Sequence, residues 1–313
     1  MKRALLVMIA LIFAFGVILG ASGHAAAADR KFTFGYTCMT ISNPFFTILE
    51  KTIRDDVEAN GDTLITTDPA LDPVRQINQI EDMISQGIDA LFLNPVDWEA
   101  IRPALVALNN AGIPIINFDT EVKDLDMVTA YAGSDNFNAG YVCGVDLAKR
   151  FPDGGPIAIL DSPTMNSVRD RIDGFTEAIE GKNFTVVFQR DARGELPIAL
   201  NHTEDLLQSN PEVIAIMGGN DPTALGALAA LRTANRLDVA IYGVDGSPEA
   251  KAAIAAEGPF VGSGAQSPIS IAHESVILAY KVLRGEPYDK RVPVPTFMIN
   301  EENVNEFGIE GWQ

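Results

Sequence analysis

The chain has 313 residues, is 47% hydrophobic and carries a formal net charge of −19 at pH 7. A protein this acidic repels phosphate backbones, which excludes nucleic acid as a partner class. Two cysteines, Cys38 and Cys143, exclude a disulfide framework in a chain of this length; they read as buried free thiols, the alternative being a single bridge in an oxidising compartment.

Met1-Lys2-Arg3 is followed by an apolar run from Ala4 to Gly20 and by small residues up to Ala28. This order of a positive head, an apolar stretch and an alanine-rich zone predicts a secretory signal peptide over 1–28, hence a periplasmic location. The alternative is an N-terminal membrane anchor, because the run approaches the length of a span. No other segment reaches the roughly 18 uninterrupted apolar residues of a membrane helix, so the rest is expected to be soluble. At roughly 100–200 residues per domain it is long enough for two.

Lys31–Thr37 reads as a strand. Asn43-Pro44 then opens a helix with Phe46, Leu49, Ile53 and Val57 on one face. Thr63–Thr67 is the next strand, and Asp72-Pro73 opens a helix carrying Val74, Ile77, Ile80 and Ile84. A strand at Ala90–Leu93, a helix at Trp98–Ala111 and strands at Ile113–Phe118 and Met127–Tyr131 follow. The turn-rich Gly133-Ser134-Asp135-Asn136 marks a domain boundary near Tyr131–Asn136. The second half repeats the rhythm, with strands at Ile157–Leu160, Val186–Phe188, Val213–Met217, Ala240–Val244 and Phe260–Gly262. Helices are expected at Met165–Ile179, Leu196–Gln208, Pro222–Asn235 and Pro248–Glu257. Strands alternating with helices of this length predict an α/β fold of parallel sheets covered on both faces.

Ligands of open parallel sheets bind at the carboxyl ends of the strands. Those ends offer Thr40, Ser42, Asn43, Phe45 and Phe46 after the first strand, then Asp119, Asn220-Asp221, Asp245 and Gln266 after later ones. Carboxylates accept hydroxyl protons, amides both donate and accept, and aromatic rings cover C–H faces, so the set suits a polyhydroxylated ligand. Each has a structural alternative. Asp119, Asp245, Asn43 and Asn220 could cap helices, and Phe45 and Phe46 could be core. No nucleophile elbow, P-loop or G-x-G-x-x-G after the first strand is present, so no enzyme activity and no cofactor are expected. His202 and His273 stand alone, so no metal site is expected.

Several of these segments together resemble the periplasmic sugar-binding proteins of the ribose/galactose type, the type I solute-binding proteins. They are Thr40-Ile41-Ser42-Asn43-Pro44-Phe45-Phe46, Asn117-Phe118-Asp119, Arg169-Asp170-Arg171-Ile172-Asp173-Gly174-Phe175, Asn220-Asp221-Pro222-Thr223-Ala224-Leu225-Gly226-Ala227 and Gly243-Val244-Asp245-Gly246, with Gln266 beyond them. The resemblance covers residues 31–300 in order. It implies two Rossmann-like lobes joined by a three-segment hinge, residues 29–132 plus 267–293 forming one and 133–265 plus 294–313 the other. It further implies a ligand set of Asn43, Phe45, Phe46, Asp119, Arg169, Asn220, Asp245 and Gln266, with Arg171 in a structural ion pair. Thr120 stands where ribose binders carry arginine, Val244 where they carry an aromatic residue, Arg193 near another expected aromatic position and Met39 where a small polar residue is usual. The site thus loses stacking surface and one guanidinium and gains Arg193 as a further ligand candidate. That argues against ribose itself and toward another monosaccharide or a sugar alcohol, an acyclic polyol included. The implied role is a monomeric binding protein delivering its ligand to an inner-membrane ABC permease. The alternative is a sensing module read by a chemoreceptor or sensor kinase. A sugar-responsive transcription regulator would need a helix-turn-helix where the signal peptide stands.

Overall fold

The computed structural model describes residues 30–313, so the expected signal peptide lies outside the described residues. Strands β1 (Thr33–Thr37), β2 (Thr63–Thr67), β3 (Ala90–Leu93), β4 (Ile115–Phe118) and β5 (Ala130–Ser134) alternate with helices α1 (Pro44–Ala59), α2 (Pro73–Ser85) and α3 (Arg102–Asn110). Helix α4 (Asn136–Arg150) leads into β6 (Gly155–Asp161), α5 (Asn166–Ile179), β7 (Phe184–Asp191), α6 (Leu196–Ser209), β8 (Ala215–Gly218), α7 (Asp221–Thr233), β9 (Ala240–Asp245), α8 (Pro248–Ala255) and β10 (Phe260–Ala265). The chain closes with α9 (Pro268–Arg284), β11 (Arg291–Val294) and β12 (Phe297–Asn300).

The strands form two six-stranded sheets, in the orders β11-β5-β4-β3-β1-β2 and β12-β10-β9-β8-β6-β7. Pairing is parallel throughout, except that β12 runs antiparallel to β10. Strands β3, β4, β8 and β9 are buried along their whole length, as helices on both faces require. The chain passes between the sheets three times: after β5, after β10 and between β11 and β12. Ser134 pairs with Val294 in the first sheet, so two of the passages fall after 134 and 294 rather than after the expected 132 and 293.

Polar caps followed by proline start several helices, three of them where the sequence predicts a helix and one, α9 after Ser267, where it does not. Asn43, Asp72, Ser247 and Ser267 each accept a backbone N–H of the first turn, and the proline after each supplies a fixed φ with no donor to lose. The helix expected from Trp98 begins only at Arg102. Asp97 Oδ1 instead accepts from the amides of Glu99 and Ala100 in a turn, and the Trp98 amide donates to Thr164 O, 3.3 Å away in the other lobe. The strand expected over Met127–Tyr131 is displaced to Ala130–Ser134 because Leu125–Met127 forms a 3-10 turn. Strands β11 and β12, absent from the sequence reading, are four-residue edge strands around Pro293 and Pro295, and proline is tolerated at sheet edges.

Tyr36 and Phe118 stack at 5.4 Å and Phe34 and Phe92 at 5.5 Å, which fixes the spacing of β1 against β3 and β4. Helices α4 and α5 pack at very close range. A methyl group on Gly140 would strike the Arg171 carbonyl, and one on Gly174 would strike that of Phe137. Cys38 and Cys143 are free and buried, and burial pushes both thiols up. Among the described residues, no helix is long and apolar enough to cross a membrane.

Candidate functional site

The carboxyl ends of the two sheets face one another across a cavity of about 430 Å3. From the first lobe it is lined by Met39, Thr40, Ser42, Asn43, Phe45, Phe46, Leu71 and Asp119, and from the second by Met165, Arg171, Arg193, Asn220 and Asp245 among others. Four of these have left-handed backbone: Leu71 at φ 63°, Asp119 at φ 56°, Arg193 at φ 54° and Asp245 at φ 141°. Residues other than glycine rarely adopt such angles, and they persist where the surroundings over-determine them. At Asp119 the restraint is visible: its amide donates to Ala132 O at 3.0 Å, and its carbonyl accepts from the buried Tyr131 hydroxyl at 2.7 Å.

The polar centre is a guanidinium between two carboxylates. Arg171 Nη2 lies 4.0 Å from Asp119 Oδ1 and Nη1 lies 3.6 Å from Asp245 Oδ1, and all three side chains are at most 4% exposed. Arg171 is held by Nε donating to Asn136 Oδ1 at 2.8 Å and Nη1 donating to Gly219 O at 2.9 Å. Asp119 Oδ2 accepts from Asn94 Nδ2 at 3.0 Å, while Asp119 Oδ1 has no hydrogen-bond partner among the described residues. Asp245 Oδ1 accepts from Gln266 Nε2 at 2.8 Å, and Gln266 Oε1 is likewise buried without a partner. Burial pushes the Asp119 carboxyl up to about 6 and the Asp245 carboxyl up to about 8, with Arg171 pulling each back. Such a cluster can receive hydroxyl protons and donate to hydroxyl oxygens without a side chain having to be recruited from solvent. Among the described residues, no group of three His, Cys, Asp or Glu could hold a metal ion.

Of the nine residues expected at the site, Asn43, Phe45, Phe46, Asp119, Arg193, Asn220 and Asp245 line the cavity. Phe45 and Phe46 are both buried, edge to face at 5.4 Å, so they belong to core and cavity at once. Asn43 and Asn220 cap α1 and α7 while lining the cavity, and Asn220 Nδ2 also donates to Gly194 O at 3.2 Å. Neither Asp119 nor Asp245 caps a helix; Ser247 caps α8 instead. Arg193 stands at the exposed rim. Gln266 does not line the cavity and supports Asp245 from behind.

Arg169 is the correction. It does not line the cavity; its guanidinium lies over the Trp98 ring, 4.9 Å from the centroid. Arg171 occupies the place expected of it. On a helix, two residues turn about 200°. The buried residues Ser167, Val168, Arg171, Gly174, Phe175 and Ala178 define the buried face of α5, which carries 171 and leaves 169 on the opposite side. The large apolar residues alone flank both arginines at similar angles, so the small residues Ser167, Gly174 and Ala178 decide the choice. Sequence reasoning also passed over Asn94, which ends β3 and aligns Asp119, and Trp312, which lines the cavity from the far end of the chain. Asn94 follows the same strand-end rule as Asp119. No local pattern points to Trp312.

The lobes also touch each other directly. Thr120 Oγ1 and Ser167 Oγ, both buried, are 2.7 Å apart, and Arg169 on Trp98 adds a second contact.

The family described as a periplasmic binding protein domain matches residues 34–287. The ribose import binding protein RbsB of Salmonella typhimurium is 32% identical over 271 residues, 86% of this chain and 91% of the relative. An ABC transporter solute binding protein from Mycobacterium smegmatis, solved with bound glycerol, superposes with a TM-score of 0.85 at 31% identity, covering 89% of this chain and 97% of that one. One from Bacillus halodurans, solved with bound myo-inositol, gives 0.83 at 28% identity, covering 88% and 97%.

Proposed function

This chain belongs to the periplasmic binding protein domain family, and from that we propose that it captures a monosaccharide or sugar alcohol between its lobes and delivers it to an ABC importer. The observation that carries the reading is the Arg171 guanidinium set between the buried carboxylates of Asp119 and Asp245, which come from different sheets. Two acceptors and one fixed donor fork, flanked by the Phe45 and Phe46 rings, match vicinal hydroxyls on an apolar carbon frame. The relatives and neighbours that bind ribose, glycerol and myo-inositol support the ligand class.

The ligand set we assign is Asn43, Phe45, Phe46, Asp119, Arg171, Arg193, Asn220 and Asp245, with Asn94 and Gln266 orienting the two carboxylates. We divide the lobes at the three passages between the sheets, near 135, 266–267 and 295–296, and these passages act as the hinge on which ligand closes the cavity. The protein performs no chemistry on its ligand, and residues 1–28 direct it to the periplasm. The alternative role in sensing gains no support from the site.

A thermal-shift series with ribose, myo-inositol and glycerol tests the ligand class. Ligand at a hundredfold excess over Kd stabilises by about 2.7 kcal/mol, which raises Tm by roughly 4–5 °C in a protein of this size. A flat response to all three, extended to other pentoses, hexoses and polyols, contradicts the ligand class.

A further inference from the structure

The family pattern places aromatic residues near positions where this chain has Val244 and Arg193, yet the cavity is not short of aromatic surface. Trp312 lines it, with its ring centroid 5.8 Å from that of Phe45 and the planes at 74°. Phe45 belongs to the first lobe, and the segment carrying Trp312 is bound to the second. The two rings form a corner that spans the lobes.

Trp312 is seated by its neighbours on both sides. Gln313 Nε2 donates to the carbonyls of Asp245 and Gln266, the first at 3.0 Å. Lys251 is fully buried, and its Nζ donates to Gly311 O at 2.6 Å and to Gln313 Oε1 at 3.2 Å. Ser267 Oγ donates to Gln313 O at 2.6 Å. A fully buried lysine is rare unless its donors are satisfied. Here it spends them on this segment, whose Gln313 is bonded to the Asp245 backbone. The position of Trp312 is thereby tied to the polar centre.

The apolar side chains lining the cavity include Leu71, Met165, Val168 and Leu225, with Leu196 more exposed. Charged groups are confined to the Asp119–Arg171–Asp245 cluster and to Arg193, Glu195 and Glu249, of which Arg193 and Glu249 are exposed. A hydroxyl turned toward the apolar walls would lose its water and gain no partner, which costs free energy. An apolar substituent there would gain burial instead.

We infer that Trp312 is a specificity-determining residue, which with Phe45 selects a polyol bearing an apolar substituent, such as an O-alkyl or deoxy sugar, over its fully hydroxylated parent. This rests on the proposed capture of a sugar or polyol. The test uses Trp98→Phe protein, in which Trp312 is the only tryptophan, and compares D-ribose with methyl D-ribofuranosides and myo-inositol with its mono-O-methyl ethers by calorimetry and by Trp312 emission. The expected result is that a methylated probe binds about fourfold or more tighter than its parent, the gain of one buried methyl, and shifts the Trp312 emission. Trp312→Ala, added to this background, should abolish that preference and weaken the methylated probe at least tenfold, and Trp312→Phe should restore much of it. Circular dichroism melting of each ligand-free variant checks that the fold is retained. Calorimetric binding with unchanged Trp312 emission, and with a preference that survives Trp312→Ala, overturns the inference and leaves sugar capture standing. If no probe of either kind binds the parent protein, the inference falls, and sugar capture falls with it only when the wider panel of pentoses, hexoses and polyols is silent too.

Discussion

At the scale of single residues, the site concentrates charge where water has been removed. Asp245 is pushed up to about 8 and Asp119 to about 6, burial being the largest cause for both. Unfolded carboxylates titrate near 3.9, so the native chain holds more protons than the unfolded chain between about pH 4 and pH 8. The stability of the ligand-free protein should therefore fall as pH rises through that window, most steeply between about pH 4 and pH 6 where both aspartates contribute, and from there to about pH 8 through Asp245 alone. Ligand hydroxyls donating to these carboxylates favour their ionised form. Binding near pH 7 should then release protons, and affinity should rise from pH 6 to pH 8. Calorimetry in two buffers of different ionisation enthalpy reads this directly, and proton uptake on binding would contradict it. Arg171 is the shared counter-ion. Arg171→Ala leaves two buried carboxylates with no cation and should cost about 3–5 kcal/mol as well as binding, read from denaturant melts. Arg169→Ala should leave the folded cluster untouched. The two aspartates were legible because strand ends of parallel sheets face ligands. The choice between the two arginines required the helical phase of α5, set by residues on both sides of the motif.

At the scale of elements, the close approach of α4 to α5 places Arg171. Gly140 faces the Arg171 carbonyl and Gly174 faces that of Phe137, so the two helices meet backbone to backbone. Gly140→Ala should force them apart. Overpacking of this kind costs about 1–3 kcal/mol, and it should also weaken binding by displacing the guanidinium. A chemical denaturation curve and a ligand titration check both effects, and a variant of unchanged stability and affinity would contradict this account of the helix pair. Helix starts were legible from Asn43-Pro44, Asp72-Pro73 and Pro248, because caps and prolines act within one turn. The late start of α3 was not, since it depends on a Trp98 amide bound to Thr164 in the other lobe. Edge strands β11 and β12 escaped the reading for a related reason: four residues with prolines at and beside them become strands only when a neighbouring sheet offers an edge.

At the scale of the whole molecule, three passages of the chain between two sheets let the polar centre be assembled from both halves. Thr120 meets Ser167, and Asp119 approaches Arg171, only when the lobes are together. Closing the lobes thus also completes the site, and a ligand that bridges the carboxylates favours that state by its differential affinity for it. The alternating strands and helices made this architecture legible, because each sheet is built from short sequential units. The contribution of Trp312 was not legible, since its place rests on contacts far away in sequence, to Phe45 and, through Gln313, to Asp245 and Gln266. The most direct measurement is a calorimetric titration of the wild-type chain and of Asp245→Asn with whichever sugar or polyol gives the largest thermal shift. Saturable one-to-one binding by the wild type and a loss of at least tenfold in the variant, the scale of a charge-assisted hydrogen bond of about 1.5–3 kcal/mol, are expected. Undiminished binding by Asp245→Asn would contradict the account.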